Sequence, residues 1–143
     1  MRVSFLIVFS LCIFLTGCVQ DRVTFFVPDG YVNIDVRVAD TLSEQASGLM
    51  ESSLKDGEGM LFVFPDTAKR AFWMNNVTIP LDIIFVDETK TVNEIKENLP
   101  PCERDPCAVY PSLKPARYVV EVPAGFAREH KIIVGSRMTS TVV

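Results

Sequence analysis

From Val32 to Ala39 the chain alternates: Val32, Ile34, Val36 and Val38 fall on one side, and Asn33, Asp35, Arg37 and Ala39 on the other. A period of two over this length makes a half-buried β-strand, because successive side chains of a strand point to opposite faces. Further short apolar runs follow at Met60–Phe64, Ala71–Met74, Leu81–Val86 and Arg117–Val122, with turn residues between them. Val23–Val27 reads as an edge strand before the Pro28-Asp29-Gly30 turn, Thr91–Ile95 as an antiparallel return, and Met138–Val143 as a last strand. The linkers at 28–30, 57–59 and 87–90 are too short to hold crossover helices. This excludes a doubly wound α/β fold and predicts a mainly β, compact antiparallel sandwich or barrel-like domain with one or two short helices.

The first helix is announced by a change of period. Thr41 and Glu44 have the spacing of a capping box, with Asp40 as an alternative cap, and Leu42, Ala46, Leu49 and Met50 form one apolar stripe. Gly48 weakens this helix by about 1 kcal/mol relative to alanine, so packing has to hold it. Residues 123–130 are the second helical candidate. Between Asn98 and Pro115 stand Pro100, Pro101, Pro106, Pro111 and Pro115, which argue for an irregular, cross-linked excursion.

The N-terminus is read differently. Met1-Arg2 opens an apolar run from Val3 to Leu15 that ends at Thr16-Gly17-Cys18. A basic start, an apolar stretch and a small-residue exit make a secretory signal peptide, and the run falls short of the ~20 residues of a membrane span. Its ending resembles the lipobox of bacterial lipoproteins. That likeness implies cleavage before Cys18, lipid on Cys18, and an extracytoplasmic domain anchored at the membrane, on the periplasmic side or the cell surface; an ordinary signal peptide or an uncleaved anchor is the alternative. Each buried CH₂ of the lipid contributes ~0.8 kcal/mol to the anchor. The organisation is then a leader over 1–17, a tether over 18–30 and a single domain over 31–143.

With 14 Lys+Arg against 18 Asp+Glu, the net charge of −4 removes the electrostatic contribution on which nucleic-acid binding rests. Of the cysteines, Cys12 leaves with the leader, and Cys102 and Cys107 remain in the domain. A disulfide is the default for such a pair outside the cytoplasm; free thiols and a redox or metal role are the alternatives. With one distant histidine, His130, the two thiols fall short of a four-ligand zinc site, and no metal or cofactor is expected.

The chain resembles the DUF192 family of small bacterial and archaeal proteins over roughly residues 32–140. The resemblance is carried by Val38–Thr41, Gly48-Leu49-Met50, Gly59–Phe64, Phe72-Trp73-Met74-Asn75-Asn76, Ile79–Phe85, Pro115–Val122 and Ala124-Gly125. It implies a compact, mainly β domain with one short helix, in members with secreted or lipoprotein leaders, and implies no established activity. Glu51-Ser52-Ser53 stands where the family usually has an arginine, Asn75 where it has lysine, and Val77 where threonine is common. The missing basic residues leave little for an anion to bind.

Trp73, Asn76 and Asp82 form the candidate ligand-binding set. A reversal through Thr78-Ile79-Pro80 would bring an indole and two polar groups to one mouth, the mixture of apolar area and fixed polar groups that ligand sites use. The plainer alternative has Phe72 and Met74 in the core, the asparagines turning the chain, and Asp82 accepting backbone N–H groups. No catalytic residue is assigned. The expected function is a membrane-tethered domain that binds a small ligand or an envelope partner. An envelope hydrolase using Asp82 and a purely structural accessory domain are the alternatives.

Overall fold

A computed structural model describes residues 20–143; the leader and Cys18 lie outside them. Nine strands and two short helices follow in the order β1 (Arg22–Val27), β2 (Gly30–Ala39), α1 (Leu42–Ser47), β3 (Glu58–Ala68), β4 (Ala71–Trp73), β5 (Leu81–Val86), β6 (Val92–Leu99), β7 (Val109–Pro111), β8 (Ala116–Pro123), α2 (Phe126–Glu129) and β9 (Arg137–Ser140). Seven of the strands form one curled sheet in the order β6-β5-β8-β3-β2-β1-β9, and β4 and β7 form a separate ribbon. The expected mainly β domain, sandwich or barrel-like with one or two short helices, takes the form of a curled half-barrel sheet with two short helices. Among the described residues no helix is long and apolar enough to cross a membrane.

The sheet carries a core on each face. One core takes side chains from all seven strands, including Phe25, Ile34, Leu61, Ile84, Val120 and Met138, with Phe126 of α2 closing over it. The two edges of the sheet meet above it: Thr91 bridges Arg137, the Val92 N–H donates to Ser136 O, and the Met138 N–H donates to Lys90 O. The second core gathers Phe62, Leu81, Ile83, Phe85 and Val119 beneath Leu49, Met74 and Val77. The β4–β7 ribbon and the Cys102–Cys107 loop cover this face, and Cys102 and Tyr110 pack on it.

Four local expectations are corrected. β1 is an interior strand, flanked by β2 and β9, because the C-terminal strand pairs with its free side. β2 and β3 run parallel, because the segment holding α1 is long enough for one crossover. The 98–115 excursion contains a strand, β7, which pairs with β4 and ends at Pro111. Ala39, placed on the outer face by its alternation, is fully buried because that face has its own core.

The capping box forms as the spacing predicts: Thr41 accepts from the Glu44 N–H, and the Glu44 carboxylate accepts from the Thr41 N–H. The apolar stripe of α1 does not bury. Leu42 is 86% exposed and Ala46 is also exposed; only Leu49, beyond the helix, enters the core. A helix this short is held instead by Gln45, whose side-chain amide donates to Val63 O at 2.9 Å. At Gly59 an added Cβ would stand 2.7 Å from the Glu121 carbonyl oxygen, so glycine permits the close approach of β3 to β8.

Candidate functional site

The three predicted residues do not converge. Trp73 ends β4 with 52% of its surface exposed. Asn76 occupies an exposed turn at φ 54° and borders an open cleft shared with Thr78, Cys102 and Arg104. Asp82 is fully buried on the opposite face of the sheet from the second core. Its two carboxyl oxygens accept the backbone N–H of Asn98 at 2.8 Å and that of Ala127 at 3.0 Å. These bonds tie the irregular pairing near the end of β6 to the start of α2. The geometry is that of the plainer alternative: an acid satisfied by backbone donors.

A different acid faces the second core. Glu121 lies in the middle of β8, 5% exposed, opposite Met60 of β3 on one side and Ile83 of β5 on the other. Strand alternation decides its direction. Tyr118, Val120 and Val122 enter the first core, so Val119 and Glu121 point into the second. Among the described residues no protein hydrogen bond or ion pair reaches its carboxyl group. Burial pushes its pKa from the ordinary 4.5 up to about 8, with no donor or cation to offset the shift. At neutral pH the group is a carboxylic acid.

The Glu121 side chain reaches a small cavity of about 20 Å³, walled by Phe62, Phe72, Trp73, Asn75 and the Gly48-Leu49 turn. That volume holds one water-sized group. Phe72 meets Phe62 edge-on at 5.1 Å between ring centroids and Phe85 at 5.9 Å, so the aromatic wall is packed rather than loose. Gly48 turns the chain over the cavity at φ +47°, a conformation that disfavours side chains with a Cβ. Outside lies a groove of about 310 Å³, lined by Leu42, Ala46, Phe64, Ala71, Phe72 and Trp73. Gln45, Ala46, Phe62, Phe72 and Trp73 border both spaces, so groove and cavity are neighbours, and together they form the candidate recess.

Glu121 was not singled out from sequence. Its signal was an acid inside Val119-Val120-Glu121-Val122, the same pattern that drew attention to Asp82 within Leu81-Asp82-Ile83. The exposed Leu42 and Ala46 also belong to the recess, although their helical spacing assigned them to the core. By contrast, a crevice of about 210 Å³ beside Gln20, Asp35, Arg37 and Glu58 is lined by partnered groups. Asp35 pairs with Arg22, Arg37 donates to Ser52, and Glu58 accepts from the Lys55 N–H.

Cys102 and Cys107 form a disulfide, with 5.5 Å between their Cα atoms. The bond closes the loop that lies over Met74, where the Cys102 N–H donates to the Met74 carbonyl.

Comparison with known proteins agrees with this fold. A UPF0127 protein of Pyrococcus abyssi is 28% identical over 108 residues, 72% of this chain and 83% of that protein. A crystal structure of a protein of unknown function from Novosphingobium aromaticivorans superposes with a TM-score of 0.77 at 34% identity, over 82% of this chain and 83% of the other. One from Sinorhizobium meliloti, described as a candidate transcription regulator, gives a TM-score of 0.79 at 29% identity, over 87% and 95% of the two chains. The profile of the DUF192 family, described as Uncharacterized ACR, matches residues 25–140. The chain therefore belongs to the DUF192 family, whose members are uncharacterised.

Proposed function

We propose that this protein is a membrane-tethered, extracytoplasmic binding domain whose small ligand occupies the recess ending at Glu121. The observation that carries the reading is the unpartnered, buried carboxyl group facing a cavity. Burying a polar group without a hydrogen bond costs several kcal/mol, and a group so perturbed in a cleft is a candidate for a functional site. Asp82, satisfied on both oxygens, has no comparable need of a ligand. In this reading Trp73, which borders both cavity and groove, is the wall at the mouth. Asn75 replaces its neighbour Asn76 at the inner cavity.

The tether rests on the Thr16-Gly17-Cys18 ending of the leader. It would hold the recess at the membrane surface, where envelope solutes and proteins are the available partners. Among the residues lining the inner cavity Glu121 is alone in being titratable, and none is a serine–histidine or cysteine–histidine pair.

The chain has a single tryptophan, so fluorescence of Trp73 reports directly on the mouth of the recess. A screen of small envelope solutes should yield compounds that shift this emission in the native protein and lose the effect in Glu121→Gln. Compounds that act equally on both proteins would overturn the assignment of the recess. For the tether, Cys18→Ser should abolish palmitate labelling, and unchanged labelling would overturn it.

A further inference from the structure

We propose that the recess recognises a primary alkylammonium group, with the charged head on Glu121 and the alkyl stem along the groove toward Leu42 and Trp73. The inference rests on the reading of the recess as a ligand site and names the class of ligand.

Four observations carry it. The inner cavity, at about 20 Å³, admits a head of the size of water, and –NH₃⁺ has that size. The cavity lining contains an acid and no lysine, arginine or histidine, so an anionic head would find no counter-charge. Phe62, Phe72 and Trp73 line the cavity beside the acid, and aromatic rings attract cations, the more so as water is excluded. The outer groove of about 310 Å³ is bordered by Leu42, Ala46, Phe64 and Ala71, an apolar track for a hydrocarbon stem.

The proton balance is explicit. Free Glu121 is a neutral acid at pH 7; on binding R–NH₃⁺ it gives its proton to solvent and becomes the carboxylate partner of the ammonium. One proton is released per ligand bound, and no bond is formed or broken in the ligand. The residues facing Glu121 do not titrate: Met60 on β3, Ile83 on β5, Gly48 and Leu49 on the turn after α1, and Phe72, Trp73 and Asn75 on the β4 side. The charged groups of the covering segments stand outside the cavity lining: Glu44, bonded to Thr41, and Glu51 are exposed, and the part-buried Arg70 stacks on Phe64 and pairs with Asp66.

Because the bound state needs the carboxylate, affinity for an alkylammonium rises about tenfold per pH unit below the pKa of free Glu121 and levels off above it. A neutral hydroxyl head would behave in the opposite way, binding the protonated acid and weakening above that pKa.

The test uses three probes with one tail: n-hexylammonium chloride, n-hexanol and sodium hexanoate. Each is titrated into the protein between pH 6 and 9, with Trp73 fluorescence and calorimetry in buffers of different ionisation enthalpy. The expected result is binding of n-hexylammonium with release of about one proton at pH 6–7, falling toward none at pH 9, and about tenfold gain in affinity from pH 6 to 7. At pH 8 the amine should bind at least tenfold tighter than the alcohol, and Glu121→Gln should lose at least tenfold. Tighter binding of n-hexanol, with affinity falling above pH 8, would overturn the ammonium class while leaving the recess as a ligand site. Binding of none of the probes would overturn the class. A failed solute screen with Glu121→Gln would separately overturn the recess. Trp73→Ala, at a half-exposed position and followed by calorimetry because it removes the fluorophore, gives a second variant that should weaken the amine if Glu121→Gln folds poorly.

Discussion

Glu121 and Asp82 are buried carboxyl groups on neighbouring antiparallel strands, and they point to opposite faces of one sheet. Glu121 is paired with Ile83 and Asp82 with Val122, a single-residue offset that sends one acid into the second core and the other into the first. Asp82 arrives where two backbone N–H groups await it, and Glu121 arrives at a cavity with none. The difference between a structural acid and a candidate binding acid is therefore one of register.

Asp82→Asn should cost stability and leave ligand binding intact. The amide keeps the shape but weakens the charge-assisted bonds to Asn98 and Ala127, a loss of about 1–3 kcal/mol. Chemical denaturation at pH 7 measures it. An unchanged midpoint would mean that these backbone groups find other partners.

Glu121 should make the protein less stable as pH rises through neutrality. Its folded pKa of about 8 lies above the ordinary 4.5, so in that interval the folded chain holds a proton that the unfolded chain has lost. Stability falls by about 1.4 kcal/mol per pH unit from 5 toward 8 and levels off above. Asp66, held low by its hydrogen bond from Arg70, titrates below this window. Denaturation of the native protein and Glu121→Gln at pH 5, 6.5 and 8 should show the slope in the first and its removal in the second.

Thr41→Ala should unfasten α1. The helix buries none of its own residues, so its capping box is a main source of local stability, worth about 1 kcal/mol. Amide exchange of Glu44–Gly48 should accelerate, with little change in the sheet. Equal protection in both proteins would show that Gln45 alone holds the helix.

The disulfide should be a modest brace. Its cysteines are five positions apart, and its loop is smaller than the 15-residue loop for which ~3 kcal/mol is expected. Replacing both with serine should cost less than that and loosen the loop over Met74. Peptide mapping without reduction should recover Cys102 joined to Cys107.

Much of the sheet was legible from local pattern. The alternation at Val32–Val38 marks its faces, the apolar runs Met60–Phe64 and Leu81–Val86 mark buried strands, and the Thr41–Glu44 cap is a four-residue motif. What escaped depends on distant partners. β7 exists because β4 lies across from it, and β1 is interior because β9 returns from the other end of the chain. The parallel β2–β3 pair likewise needs the α1 crossover to be placed in space. The site was half legible for the same reason. Of the apolar and amide cluster at Phe72–Asn76, Phe72, Trp73 and Asn75 line the candidate cavity, but the acid at its base comes from β8, far along the sequence. Leu42 and Ala46 have the spacing of a core stripe and line an open groove, because periodicity records a common face and not what covers it.

The ionisation of Glu121 is the most direct measure of the site. With its carboxyl carbon labelled, an NMR titration of the ligand-free protein should show a midpoint near 8, which then falls when n-hexylammonium is added. A midpoint near the ordinary 4.5 would mean that water or a protein donor already satisfies the group, and would contradict the account of an unpartnered acid awaiting its ligand.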